Sequence, residues 1–266
     1  MRHLLAILLL GIIGIQASSA QSNPFTLGEI HQLPSAVLNE TRTLNVYLPD
    51  NYQQATSRKY PVIYLLDGSG NEDFIHVAGV IQFLTMIEQI PPVILVGIAN
   101  VDRKRDFTFP TTVKKDKEDF PTTGGSANFI RFIDTELQPY VRNHFRTNDT
   151  STLIGQSLGG LLATEILLKH PAMFNNYVIV SPSLWWDHES LLKNKINEPV
   201  ASTRVFLTVG KEGKEMEVPA RQLGEALKAA GTKGPKVYYL PLPEETHLTI
   251  LHNAIYKALP LINTGK

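Results

Sequence analysis

The chain has 266 residues, of which 43% are hydrophobic and 19% charged, a balance that allows one large domain with a substantial core. Its 25 basic residues match its 25 acidic ones, so no net field draws it to nucleic acid or to an anionic membrane surface. It contains no cysteine, which excludes disulfides and a lipid-bearing cysteine at the N-terminus.

Residues 1–20, MRHLLAILLLGIIGIQASSA, have a basic start at Arg2 and His3, an apolar run from Leu4 to Ile15, and small residues Ser18 and Ala20 before Gln21. That is the layout of a secretory signal peptide. The apolar run is shorter than the ~20 residues of a membrane-spanning helix. Cleavage after Ala20 is expected, leaving residues 21–266 as a single periplasmic or secreted domain without a membrane span.

FTLGEIHQL and TRTLNVYLP alternate like half-exposed strands, joined through Asn39–Thr41. Short apolar runs follow at PVIYLLDG (61–68), PPVILVGI (91–98), STLIG (151–155), YVIVS (177–181), RVFLTVG (204–210) and KVYYLPLP (236–243). Rich in β-branched residues and bounded by Gly, Pro or Asp, they predict strands buried on both faces of a parallel sheet. Between Phe129 and Phe145 the apolar residues follow a 3.6-residue stripe, which predicts one helix. VPARQLGEALKAAG predicts another, with Pro219 near its first turn and Gly231 just past its end. Strands alternating with helices predict an α/β fold with a mostly parallel central sheet and helices on both faces. No regular element is expected between Asn100 and Ala127; a loop of that length is usually functional or disordered. Within it, the charge run Lys114–Asp119 reads as solvated surface.

LIGQSLGG (153–160) holds a G-x-S-x-G pattern between a strand and a helix. In that context Ser157 is a candidate nucleophile on a tight, strained turn, where Gly155, Gly159 and Gly160 let the chain pass. The backbone N–H of Leu158 would face charge developing on a bound carbonyl. A serine hydroxyl needs a base. His247, in LPLPEETHLTIL, lies just past the last strand and is the candidate; His76 and His188 fall on loops that could touch substrate. A carboxylate should orient the base, and KEGKEMEVP offers Glu212, Glu215 and Glu217. Glu212 is nearest the strand end and is preferred; the other two, or a Ser–His dyad without an acid, are the alternatives. The turn after PVIYLLDG brings Gly68 and Ser69 forward as further oxyanion donors. No group of His, Glu and Cys has ligand spacing, so neither metal nor cofactor is expected.

YLLDG, VGIANVDRKRDFTFP, FIRFIDTELQPYVRNHFRTNDTSTLIGQSLGGLLA and SPSLWWD together resemble the putative-esterase (esterase D-like) family of α/β-hydrolases, nearest the branch of trilactone siderophore esterases. The likeness spans about residues 25–258, and RDFTF and SPSLWW are its most specific parts. It implies an α/β-hydrolase fold, Ser157 as nucleophile and His247 as base. It further implies that Arg105 binds acyl or anionic groups of the substrate, and it puts Trp185 and Trp186 on the loop after YVIVS as candidates to wall the pocket, with core packing expected for one of the pair. The expected activity is cofactor-free hydrolysis of a small-molecule ester through an acyl-enzyme. The alternatives are a feruloyl or acetyl carbohydrate esterase, an acyltransferase, and an inactive hydrolase fold that only binds its ligand.

Overall fold

In the computed structural model, which describes residues 22–195 and 200–264, the two alternating segments pair as an antiparallel hairpin. They are β1 (Glu29–Ser35) and β2 (Glu40–Tyr47), turned at Asn39 with φ 53°. The expected signal peptide lies outside the described residues. The apolar runs become β3 (Tyr60–Leu65), β4 (Ile94–Ile98), β5 (Thr147–Gln156), β6 (Asn176–Val180), β7 (Arg204–Thr208) and β8 (Lys236–Tyr239). Their order is β1-β2-β4-β3-β5-β6-β7-β8, antiparallel from β1 to β4 and parallel beyond.

Alternate residues along these strands enter two separate cores. Val62, Tyr64, Leu153, Tyr177 and Ile179 pack against α4 (Ser126–Phe132), α5 (Gln138–His144), α6 (Leu158–Lys169) and α8 (Lys214–Ala229). Ile63, Leu65, Ile154, Val178 and Val180 pack against α1 (Phe74–Met86) and α9 (Ile250–Thr264). Because both faces are covered, the strands read as continuous apolar runs instead of alternating ones. Among the described residues no helix is long and apolar enough to cross a membrane.

Three segments depart from the expected elements. The stripe from Phe129 to Phe145 is split into α4 and α5 by a π-helical turn at Ile133–Leu137. Pro139 has no N–H to offer Thr135, and the wider turn accommodates the missing bond. Helix α8 begins at Lys214, so Pro219 lies inside it. Glu217 makes the longer start possible, since its Oε1 accepts the N–H groups of Glu212 (2.8 Å) and Gly213 (2.9 Å).

The third departure is the stretch from Asn100 to Ala127, which carries α2 (Arg103–Phe107) and α3 (Lys114–Asp119). Asp102 caps α2 by accepting the Arg105 N–H at 3.0 Å. Asp187, in α7 (Trp186–Glu189), anchors the stretch by accepting the Thr112 N–H (2.6 Å) and hydroxyl (2.8 Å) and the Thr111 hydroxyl (3.1 Å). Burial works to raise the Asp187 carboxyl, but hydrogen bonds from Thr112, Ser190 and Thr111 bring it down to about 2.

Trp186 packs edge-on against Phe120 and donates its indole N–H to Phe109 O at 2.9 Å, with no exposed surface. It therefore belongs to the core and not to the pocket wall, and is the one of the two tryptophans for which core packing was the alternative. Trp186→Ala should lower stability by about 3–5 kcal/mol, the range for deleting a large buried ring. Equilibrium denaturation measures the loss, and KM of the surviving folded fraction should stay unchanged.

Candidate active site

The strand order reverses direction at β3, with β4 on one side of it and β5 on the other. Clefts in open α/β sheets form at the carboxyl ends of the strands that flank such a reversal. The loops after β3 and β5 meet here in an open cleft of about 340 Å³ lined by Asp67, Asp73, Arg103, Gln156, Ser157, His247 and Leu248.

Ser157 joins β5 to α6 with φ 59° and ψ −119°, a conformation that residues with a Cβ rarely adopt. The turn is held by hydrogen bonds from the Ser157 N–H to Val180 O (3.0 Å) and from the Leu161 and Ser183 N–H groups to Ser157 O (2.9 and 3.0 Å). A Cβ at Gly155 would meet Gly159 O at 2.4 Å, and one at Gly160 would meet Pro182 Cα at 2.9 Å. At Gly159 the nearest atom is 3.4 Å away, so the steric demand falls on the other two glycines. The Ser157 hydroxyl lies 3.3 Å from Ser183 Oγ. Leu158 is the first residue of α6, so its N–H has no carbonyl four residues back.

His247 follows β8, with its Nδ1 2.5 Å from Glu212 Oε2. Gln156 clamps the same loop to the elbow by donating its amide to His247 O at 2.5 Å. Burial works to raise the Glu212 carboxyl, yet hydrogen bonds from His247, Ser181 and Gly210 outweigh it and hold the group below the usual carboxylate value. Of the three glutamates considered, Glu212 meets the imidazole, Glu217 holds backbone N–H groups, and Glu215 is exposed. His76 pairs with Asp73 at 3.3 Å from within α1, and His188 is exposed in α7.

Three other expected positions are revised. The Gly68 N–H donates to Ile98 O at 3.0 Å and is therefore spent within the fold, not available to an oxyanion. The Ser69 N–H has only a long contact to Glu72 Oε2, 3.3 Å, which a substrate oxygen can displace. Arg105 does not line the cleft. Its guanidinium is committed to Glu40 (2.8 Å) and Asp106 (2.7 Å), bonds that raise its pKa against the lowering effect of burial. Trp185 is half-buried against Phe120 and Trp186 and is not one of the residues that line this cleft.

The arginine at the cleft is Arg103, two residues earlier. It grips both Asp67 carboxylate oxygens, at 2.6 and 2.8 Å, and reaches Gln156 O at 3.4 Å. Arg103 thus braces the turn that carries Ser69 against the elbow that carries Ser157. Arg103→Ala should lower kcat/KM by roughly 10- to 100-fold, the scale of a 1 Å misplacement at a reacting centre. Arg105→Ala should leave kcat/KM near the parent value and reduce stability by about 1–3 kcal/mol through the lost charged hydrogen bonds. Steady-state kinetics and thermal melts on both variants separate the two roles.

A mostly parallel sheet with a serine on a strained strand-to-helix elbow defines the α/β-hydrolase class. A family model described as Putative esterase matches residues 35–234, and the chain belongs to that family. It is 28% identical over 277 residues to the ferri-bacillibactin esterase BesA of Bacillus subtilis strain 168, covering 92% of this chain and 93% of the relative. It is 31% identical over 222 residues to an endo-1,4-beta-xylanase/feruloyl esterase of Xylanibacter ruminicola, covering 77% of this chain and 28% of that longer relative. Among solved structures, an IroE-like serine hydrolase from Shewanella oneidensis superposes with a TM-score of 0.78 at 30% identity, covering 88% of this chain and 79% of the other. The protein is an esterase, a hydrolase acting on ester bonds.

Proposed function

We propose that this esterase works through a serine acyl-enzyme, with Ser157 as nucleophile, His247 as base and Glu212 as the orienting acid. The observation that carries the reading is the 2.5 Å contact between His247 Nδ1 and Glu212, made by an imidazole that lines the same cleft as Ser157. With Nδ1 committed to a carboxylate, Nε2 is left as the acceptor for the serine proton. In the reactive arrangement the Ser157 hydroxyl gives up Ser183 and donates to that nitrogen. Oγ then attacks the ester carbonyl while His247 takes the proton. The oxyanion rests on the N–H groups of Leu158 and Ser69, and His247 returns the proton to the departing alcohol. Water follows the same route to release the acid.

The substrate class proposed is a siderophore ester of the trilactone type, taken from the likeness to BesA over nearly the whole of both chains. The apolar run at residues 4–15 supports export, so the reaction is placed in the periplasm or outside the cell. The likeness to the Xylanibacter ruminicola relative favours a second reading, a feruloyl carbohydrate esterase. A panel of ferric and iron-free trilactones, methyl ferulate and short acyl esters tests the choice. The expected result is a kcat/KM on a trilactone at least about 10-fold above that on methyl ferulate, a gap of ~1.4 kcal/mol in transition-state stabilisation. The reverse order would replace the first reading by the second.

A further inference from the structure

The run SPSLWW draws the eye to its tryptophans, yet the side chains that reach the site are its two serines. Ser181 follows β6, is fully buried, and has φ 42° in the region that disfavours residues with a Cβ. Its N–H donates to Thr208 O at 2.9 Å, fastening it to the end of β7. Its hydroxyl donates to Glu212 Oε1 at 2.5 Å, and the Gly210 N–H donates to the same oxygen at 2.9 Å. Oε2 is thereby left for His247 Nδ1. Two residues on, the Ser183 N–H donates to Ser157 O at 3.0 Å. A stretch of three residues thus touches the proposed nucleophile at one end and the proposed acid at the other.

We propose that Ser181 is a positioning residue whose buried hydroxyl fixes the Glu212 carboxylate with Oε2 facing His247. A glutamate has one more rotatable bond than an aspartate, so a carboxylate held only at Oε2 can swing out of line with the imidazole. Hydrogen bonds at Oε1 remove that freedom before substrate arrives, and preorganisation of this kind is realised as rate. The left-handed backbone at Ser181 breaks the up-and-down alternation of β6 and turns the hydroxyl toward the loop after β7. Strain of this sort persists where the surroundings over-determine it, commonly at functional sites.

The proposal rests on the serine acyl-enzyme reading, and a double-mutant cycle with p-nitrophenyl acetate separates the two. Ser181→Ala should lower kcat about 10-fold with KM changed less than about 2-fold, and Glu212→Ala should lower kcat by about 10³-fold or more. In the Glu212→Ala background, Ser181→Ala should cost less than about 2-fold, because the group it acts through is gone. Equal losses in both backgrounds, or no loss in the parent, overturn the role of Ser181 and leave the esterase reading standing. Full activity of Glu212→Ala alone overturns the triad instead. Proton NMR gives a readout independent of turnover: a deshielded His247 Nδ1–H resonance should vanish in Glu212→Ala and move in Ser181→Ala. An unmoved resonance in Ser181→Ala counts against the proposal. Alanine keeps the Cβ and adds no backbone strain; Ser181→Gly, which suits φ 42°, takes its place in the cycle if the alanine variant does not fold.

Discussion

Ser157→Ala should remove ester hydrolysis almost completely, lowering kcat on p-nitrophenyl acetate by about 10⁴- to 10⁶-fold while the fold survives. On the proposed mechanism the loss is large because, among the described residues that line the cleft, Ser157 alone carries a hydroxyl. The Ser183 hydroxyl lies 3.3 Å from Ser157 Oγ, but it is buried and does not stand on the elbow. The fold survives because alanine keeps the Cβ that the backbone at φ 59° already tolerates, and the bonds to Val180 and Ser183 are made by main-chain atoms. A fluorophosphonate probe should label the parent and Ser183→Ala but not Ser157→Ala. Turnover within 10-fold of the parent in Ser157→Ala would end the serine mechanism.

Glu212→Gln should lower kcat by about 10³- to 10⁴-fold with little change in KM, since an amide can hold the wrong imidazole tautomer and cannot stabilise an imidazolium. Glu215→Gln should do nothing measurable, because that side chain is exposed. Glu217→Gln should have an effect well below that of Glu212→Gln, since Glu217 supports the loop through the N–H groups of Glu212 and Gly213. The pH dependence of stability follows from the direction of the Glu212 shift. Its carboxyl is held below its ordinary value in the fold, so its ionisation stabilises the native state above the unfolded pKa of about 4.3, and that contribution is lost as pH falls through the lower, folded value. The stability gap between parent and Glu212→Gln should therefore be fully present near neutrality and should narrow as pH falls below the unfolded pKa of about 4.3. Denaturant melts from pH 7 down to pH 3 measure it; a gap that widened toward acid would contradict the assignment.

Much of the site was legible because short stretches carry their own geometry. G-x-S-x-G between an apolar run and a helical stripe specifies an elbow, since the crossing at Gly155 and Gly160 leaves no space for a side chain. A histidine just past the last strand of such a sheet comes to the carboxyl edge whatever the connecting loops contain. The choice among Glu212, Glu215 and Glu217 was not legible: three carboxylates within six positions differ only in which way the loop after β7 turns. That turn is set by Glu217 binding the loop's own backbone and by Ser181 and Gly210 holding the Glu212 carboxylate.

Arg105 and Arg103 show the same division. Both stand in the charged run DRKRD (102–106), and both are one helical turn or less from the cap at Asp102. Which of them reaches the cleft depends on Glu40 and Asp106 taking one guanidinium and Asp67 taking the other, and Glu40 and Asp67 lie more than thirty positions away in the chain. Which tryptophan of the pair enters the core was not legible for a related reason: the Trp186 neighbours Phe109 and Phe120 come from a stretch with no strong local pattern.

By itself, then, the amino-acid order determined the α/β layering, the serine elbow and the histidine that follows the last strand, because periodicity and turn chemistry act over a few neighbouring residues. The tertiary structure alone decided which carboxylate meets the imidazole, which arginine braces the cleft, and that the Gly68 N–H is spent within the fold. Those outcomes are competitions for hydrogen-bond partners brought together from distant parts of the chain, and only the completed packing settles them.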